Sequence, residues 1–263
     1  MFNIKTNNPK LKQVIDNVEK NRKLQSLWIA STISSVHRLG MHDHGRNHAM
    51  IVAEYAMALL ECLNRKGKVS SIIKHYKLNK SVKKFDFDYQ EDQIIVFLAS
   101  CLHDVGMSVH NEKHSEIGVY LANELLEEIL EGVYGEEEKA IVKSEVLHCI
   151  LSHHNVVQPL TMEASIVKVA DSLDMPANMG APLYLPSDMD TKKLSALAIE
   201  KVEISTSDEK PVVIEIVLKD IAGVMQIKSL ISDRLKGSAL EKYVKIIGII
   251  KKGRKKEEVV FEL

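Results

Sequence analysis

The chain has 263 residues, a formal net charge of -1 and 45% hydrophobic residues, a composition typical of soluble globular proteins. The near-zero charge provides no general attraction to nucleic acids or anionic membranes, and no apolar run approaches the roughly 18 residues of a membrane-spanning helix. The N-terminal residues lack the apolar core of a signal peptide. Cys62, Cys101 and Cys149 lie in apolar helical patterns without CxxC spacing. We therefore predict a cytoplasmic protein with reduced cysteines and no membrane association.

Helical periodicity dominates the N-terminal part of the chain, up to about residue 175. Residues 64–93 interrupt this pattern with many lysines, and we predict a solvated, lid-like segment there that buries little and contains one short helix, SSIIKHYKL. The predicted helices span residues 9–39, 47–64, 94–102, 114–132, 137–154 and 164–175.

The pattern changes after residue 175. The segment MPANMGAPLYLPSDMD contains three prolines and a glycine and is predicted to be a loop. Beyond it, β-branched residues predict two strands, an amphipathic helix that ends at Gly237, and two more strands. We therefore predict a mainly α protein, with a helical domain over residues 1–190 and a small α+β domain of ββαββ order over residues 196–263.

All 11 histidines lie between His37 and His154. An apolar, apparently buried helix ends in a histidine–aspartate pair, which is costly to bury unless a partner such as a metal ion compensates it. Similar polar residues lie on the inward faces or at the ends of the other helices, an arrangement that builds metal sites in helical bundles. Three or four of them would suit one ion, and all seven would suit two ions that share Asp104. The seven are His48, His103, Asp104, His114, His153, His154 and Asp171.

Three stretches resemble the HD superfamily of metal-dependent phosphohydrolases: HAMIVAEYA, LASCLHDVG and IVKVADSLD. The resemblance implies an HD-domain helical bundle and a first ion held by His48, His103, Asp104 and Asp171. HSEIG and SHH further resemble the branch that binds two metals, including the HD-GYP phosphodiesterases, although the GYP tripeptide is absent and Met107 replaces a lysine of that family. In that branch the second ion would be held by the ligands His114, His153, His154 and the shared Asp104.

The expected cofactors are two divalent transition-metal ions, with Fe, Mn, Ni, Co and Zn as candidates. Such ions supply hydroxide at neutral pH and neutralise phosphoryl oxygens, and we expect Asp104 to bridge them. Lys168 and Arg46 are candidate phosphate contacts; the alternatives are an ion pair of Lys168 with Asp171 and a solvent-exposed Arg46. Asp174 is expected to orient a ligand.

The resemblance implies hydrolysis of a phosphate ester or phosphodiester in a small phosphorylated substrate, with a nucleotide as first candidate. No feature indicates nucleic-acid binding, and homo-oligomerisation stays open. Two other hypotheses remain: a di-iron oxygenase on the same fold, and a non-catalytic metal-binding sensor. His44 lies one turn before His48 and is a further ligand candidate only if that helix begins early. The C-terminal domain contains no histidine or cysteine, so we expect it to be dispensable for metal binding.

Overall fold

The computed structural model describes residues 2–68, 70–80, 85–154, 156–175, 195, 197–252 and 255–261. The fold is mainly helical and carries a four-stranded sheet near its C-terminal end, which confirms the predicted fold class. Most of the predicted loop over residues 175–190 lies outside the described residues, as does the predicted domain boundary at 190–196. The division into two domains therefore stays a prediction.

The helical part contains more helices than the periodicity predicts at its N-terminal end. The single helix predicted over residues 9–39 is wrong, because Asn21 adopts an extended conformation and its side chain accepts a hydrogen bond from the amide of Leu24, which starts a new helix. The helices are α1 (Pro9–Lys20), α2 (Arg22–Thr32, extended by a π-helical turn, Ile33–Arg38), α3 (Arg46–Arg65), α4 (Tyr89–Leu102), α5 (His114–Ile129), α6 (Glu136–Ser152) and α7 (Met162–Leu173).

Helix α4 is the centre of the helical part, as the uniformly apolar stretch predicts. Its start is fixed by a capping box. The Asp88 carboxylate accepts a hydrogen bond from the amide of Gln90, and the Glu91 carboxylate accepts one from the amide of Asp88. From residue 94 to its end at Leu102 every side chain is buried. A helix that is apolar all round must be covered on all sides, and α3, α6 and α7 pack against it.

The lysine-rich segment is packed more closely than predicted. Ile72 and Ile73 are buried, and the carboxylate of Glu163 accepts hydrogen bonds from the amides of Ser71 and Ile72. The expectation that this segment buries little is therefore wrong at the start of the short π-helix Ile73–Lys77, where Ile72 and Ile73 are buried despite the surrounding lysines. Lys83 and Lys84 lie outside the described residues.

The C-terminal unit has the predicted ββαββ order. Its strands are β1 (Ile199–Ser205), β2 (Val212–Leu218), β3 (Val244–Lys252) and β4 (Lys255–Phe261), and the sheet order is β1-β2-β3-β4. The two outer pairs are antiparallel, whereas β2 and β3 are parallel and are connected through α8 (Val224–Ser229), which continues into a π-helical turn, Leu230–Leu235. A crossover of this length is what a parallel pair requires.

The C-terminal unit contacts helix α7 directly. Leu230 and Leu235 are buried in the same hydrophobic cluster as Leu173 of α7, and the amide of Ala239 donates a hydrogen bond to the hydroxyl of Ser165 at 3.1 Å. The turn Leu230–Leu235 therefore lies alongside the helix that carries Asp171.

The cysteines agree with the sequence prediction, since Cys62, Cys101 and Cys149 are all buried and unpaired. In the part of the chain that the structure describes, no helix has both the length and the apolarity needed to cross a lipid bilayer.

Candidate metal centre

Four of the predicted histidines converge from four different helices. His48 lies in the first turn of α3, His103 directly follows α4, His114 begins α5, and His153 directly follows α6. All four are buried, with at most 8% of the residue surface exposed. Their placement at helix ends explains how one small volume receives side chains from four separate parts of the chain.

Three of these histidines are held in the same tautomer by backbone carbonyls. His103 Nδ1 lies 2.9 Å from the carbonyl of Ser100, and His153 Nδ1 lies 2.6 Å from the carbonyl of Ile150. His114 Nδ1 lies 2.7 Å from the carbonyl oxygen three residues before it. A carbonyl oxygen can only accept a hydrogen bond, so each Nδ1 carries the proton. The carbonyls in the last turns of α4 and α6 are free to accept it because they have no partner within the helix. Each Nε2 therefore directs a lone pair into the centre.

The fourth histidine is held by a carboxylate. His48 Nδ1 donates to Asp174 Oδ2 at 2.6 Å, and both side chains are buried. Asp174 therefore lies where the predicted orienting role requires it. A carboxylate behind an imidazole fixes its orientation and raises its basicity as a metal ligand.

His48 and His103 form a first cluster with two carboxylates. Their Nε2 atoms are 3.1 Å apart, and each lies 3.3–3.4 Å from Asp104 Oδ2. Asp171 Oδ1 lies 3.3 Å from His48 Nε2 and 3.8 Å from His103 Nε2. Atoms that share an ion through bonds of about 2.1 Å lie about 2.9 to 3.4 Å apart. A cation between the two nitrogens would accept a lone pair from each of them.

His114 and His153 form a second cluster around the other oxygen of the same carboxylate. Asp104 Oδ1 lies 3.4 Å from His114 Nε2 and 3.5 Å from His153 Nε2, and the two nitrogens are 3.2 Å apart. These distances between ligand atoms are close to those expected around one ion, so the three side chains fit a second divalent ion. The two oxygens of Asp104 thus face two different pairs of imidazoles.

The electrostatics favour ionised carboxylates at this centre. Burial opposes ionisation of Asp104, but its electrostatic interactions with the imidazoles of His103 and His44 hold its pKa well below the usual value. Burial likewise opposes ionisation of Asp171, and the guanidinium of Arg234 holds its pKa well below the ordinary range. Both carboxylates are therefore anionic at neutral pH, the form that binds a cation.

The local sequence HDVG has a steric requirement at its glycine. A Cβ atom on Gly106 would lie 2.0 Å from the carbonyl oxygen of His114 and 2.7 Å from the amide nitrogen of Gly118. The 3₁₀ turn Val105–Ser108 therefore packs directly against the backbone of α5, and this contact positions His114 beside Asp104.

Three predicted site residues lie outside both clusters: His154, Arg46 and Lys168. His154 is exposed, and its ring centroid lies 5.2 Å from that of His114. Arg46 pairs with Glu19 at 2.6 Å, donates to Gln25 at 3.1 Å, and faces α1 and α2 instead of the centre. The predicted phosphate contact by Arg46 is corrected accordingly: its guanidinium joins the start of α3 to the first two helices.

Lys168 lies one helical turn before Asp171 on α7, but it does not form the ion pair with Asp171 that the sequence left open. It is 7% exposed, and among the described residues it forms no ion pair with Asp171 or another carboxylate. Burial and the neighbouring charge of Arg234 lower its pKa.

Three further residues lie around the centre: His42 and Arg234, which the sequence did not place there, and His44, a ligand candidate only if α3 began before Arg46, where it begins. His42 and His44 stack with ring centroids 4.1 Å apart, and His44 lies 5.5 Å from the ring of His48. Burial lowers the pKa of His42 to about 3, so this side chain is neutral at pH 7. Arg234 reaches the centre from the C-terminal unit, with Nη1 3.3 Å from Asp171 Oδ2. The sequence signal that marks the two histidines is the HDH tripeptide just before α3, with His44 one helical turn before His48.

Comparison with known proteins agrees with this geometry. The model of the HD domain family matches residues 45–175. The chain is 36% identical to the uncharacterized protein MJ1020 of Methanocaldococcus jannaschii over 251 residues, which are 95% of this chain and 92% of that protein. The chain therefore belongs to the HD superfamily, whose domains bind divalent metals.

More local similarity connects the chain to ribonuclease Y. It is 32% identical over 90 residues to ribonuclease Y of Thermoanaerobacter pseudethanolicus, and 37% identical over 75 residues to that of Thermotoga maritima. These matches cover 33% and 27% of this chain, but only 15% and 12% of the two ribonucleases. The similarity is thus confined to a small part of those proteins.

Proposed function

We propose that this protein is a metal-dependent phosphohydrolase that cleaves a phosphate ester or phosphodiester, with a nucleotide as the first candidate substrate. The observation that carries the proposal is Asp104, because each of its oxygens faces a separate pair of imidazole nitrogens. Membership of the HD superfamily and the local similarity to ribonuclease Y support phosphoester chemistry.

Divalent ions bound by these ligands would lower the pKa of a coordinated water and offset the negative charge on phosphoryl oxygens. His48, His103, Asp104 and Asp171 would hold one ion, and His114 and His153 with Asp104 would hold the other. The protein contributes rigid orientation, because every Nδ1 atom of the four histidines is already hydrogen-bonded. Burial of these groups also strengthens their interaction with a charged substrate.

The test is elemental analysis of protein purified without added metal, followed by assays with Mn, Ni, Co or Fe on p-nitrophenyl phosphate, bis-p-nitrophenyl phosphate and a nucleotide panel. We expect turnover of at least one phosphoester that depends on metal and is abolished in Asp104→Asn. His37→Ala is the matched control, since His37 is exposed and belongs to neither cluster.

Two outcomes of the same assay would contradict the proposal. Iron-dependent oxygen uptake without phosphoester turnover would instead favour the di-iron oxygenase hypothesis. Full metal occupancy with no turnover on any phosphoester and no oxygen uptake would favour a metal-binding sensor.

A further inference from the structure

Lys168 and Arg234 come from different parts of the chain. Burial lowers the pKa of Lys168, and Arg234 lies close enough for its charge to lower it further. Lys168 lies one helical turn before Asp171 on α7 and is 7% exposed. Arg234 belongs to the turn Leu230–Leu235 of the C-terminal unit, and its Nη1 lies 3.3 Å from Asp171 Oδ2. The same Nη1 donates to the carbonyl of His153 at 2.7 Å. Arg234 therefore connects the C-terminal unit to the backbone and side chain of residues from both clusters.

The charges around this pair are not balanced by the protein. Within the described ranges, Lys168 has no carboxylate partner, and Asp171 is the only carboxylate paired with Arg234. A buried cation without a partner is unfavourable, and a second cation beside it increases the cost. If Asp171 binds an ion, its charge is shared with that ion and compensates Arg234 less. A loaded centre would thus have an excess of positive charge on this side.

We propose that Arg234 and Lys168 together bind the phosphoryl oxygens of the substrate, so that the C-terminal unit supplies half of the anion subsite. This inference rests on the proposed phosphohydrolase function, because the anion is taken to be the phosphoryl group that the centre cleaves. A guanidinium presents several N–H groups in one plane, and only Nη1 of Arg234 has a partner among the described residues. The remaining donors suit a phosphoryl group, which offers several oxygens.

The position of Arg234 is fixed by the packing of the turn Leu230–Leu235 against α7. Leu230 and Leu235 flank it in the sequence and are both buried, and Ala239 is hydrogen-bonded to Ser165, which lies three residues before Lys168 on α7. A donor on such a supported turn needs little further ordering when an anion binds. Every predicted metal ligand lies in the helical part, so the expectation that the C-terminal domain is dispensable for metal binding stays a prediction.

The test is titration of the metal-loaded full chain with inorganic phosphate by calorimetry. Arg234→Gln and Lys168→Met remove one positive charge each at similar side-chain size, and we expect each to weaken phosphate binding by about tenfold or more. Arg38→Gln is the matched control, since Arg38 is exposed and outside the centre, and its phosphate affinity should stay within about twofold of the unmutated value. Metal content is measured for every variant.

The variants also separate binding of phosphate from support of Asp171. If Arg234 only positions Asp171, Arg234→Gln loses metal and Lys168→Met keeps both its metal and its phosphate affinity; that result would overturn the proposal. Unchanged phosphate affinity in both metal-loaded variants would overturn it as well. Turnover of bis-p-nitrophenyl phosphate by the unmutated protein is scored separately. Phosphate binding that depends on both cations, without any turnover, would contradict the phosphohydrolase function and leave the anion subsite standing.

Discussion

His48 Nδ1 and Asp174 Oδ2 are 2.6 Å apart, although the two residues are separated by 126 positions in the sequence. The contact joins the start of α3 to the residue that ends α7, and it leaves His48 Nε2 facing His103 and the carboxylates of the first cluster. Burial opposes protonation of His48, but hydrogen bonds with Asp104, Asp171 and Asp174 raise its pKa well above the usual value. A bound cation would take the place of this proton.

Substitution of Asp174 should weaken metal binding without removing a ligand. In Asp174→Ala the imidazole of His48 loses its hydrogen-bond acceptor, so its orientation and basicity fall, and we expect metal affinity to drop by about 10- to 100-fold. The measurement is competition with a chelator of known affinity. Asp16→Ala is the control, because Asp16 is a largely exposed residue of α1. Equal affinity in both variants would show that the contact does not support the centre.

Gly106 should tolerate no side chain. In Gly106→Ala the new methyl group meets the backbone of His114 at 2.0 Å, and α5 must move away. We expect a loss of about 3 kcal/mol or more in the free energy of unfolding, measured in urea. Gly135→Ala is a close control, since no atom lies within 4 Å of the corresponding Cβ position. Its stability should stay within about 1 kcal/mol of the unmutated protein.

Asp92 should make stability depend on pH. Burial and the charge of Glu163 raise the pKa of Asp92 from 3.8 to about 8, although hydrogen bonds with the backbone of Gln93 and the side chain of Asn64 lower it. Between these two values the folded state keeps a proton that the unfolded state has lost, so stability falls as pH rises. Below about 3.8 and above about 8 this contribution no longer changes with pH.

Asp92→Asn should remove that dependence. Relative to the unmutated protein, we expect the variant to gain on the order of a few kcal/mol between pH 5 and pH 9, measured as the change in unfolding free energy in urea. The exposed Asp16→Asn should show no such gain. Parallel stability curves for the unmutated protein and Asp92→Asn would mean that Asp92 is ionised in the folded state.

The sequence predicts those parts of the centre that local pattern controls. His103 and His153 follow the last residue of α4 and α6, His114 begins α5, and the structure brings all three together with Asp104 as the resemblance implied. Neighbouring positions are less predictable. His153 and His154 are adjacent, but a helical chain turns about 100° per residue, so only the first points into the cluster while the second is exposed.

Long-range partners could not be predicted in this way. Nothing around Arg234 distinguishes it from a surface arginine on an amphipathic helix, and its contact with Asp171 arises only when the C-terminal unit packs on α7. Arg46 shows the opposite case, because its position two residues before His48 indicated a role in the centre. Its long side chain instead extends to Glu19 and Gln25 on the preceding helices.

The central claim is that Asp104 bridges two metal ions, and metal stoichiometry tests it most directly. Ions per chain are measured by elemental analysis under metal-replete conditions for the unmutated protein, His114→Ala, His153→Ala and Asp104→Ala. The account predicts two ions in the unmutated protein, one in each histidine variant, and weakened binding of both ions in Asp104→Ala, because that carboxylate contacts both clusters. One ion per chain in the unmutated protein, unchanged in His114→Ala, would contradict the account and leave a single four-ligand site at His48, His103, Asp104 and Asp171.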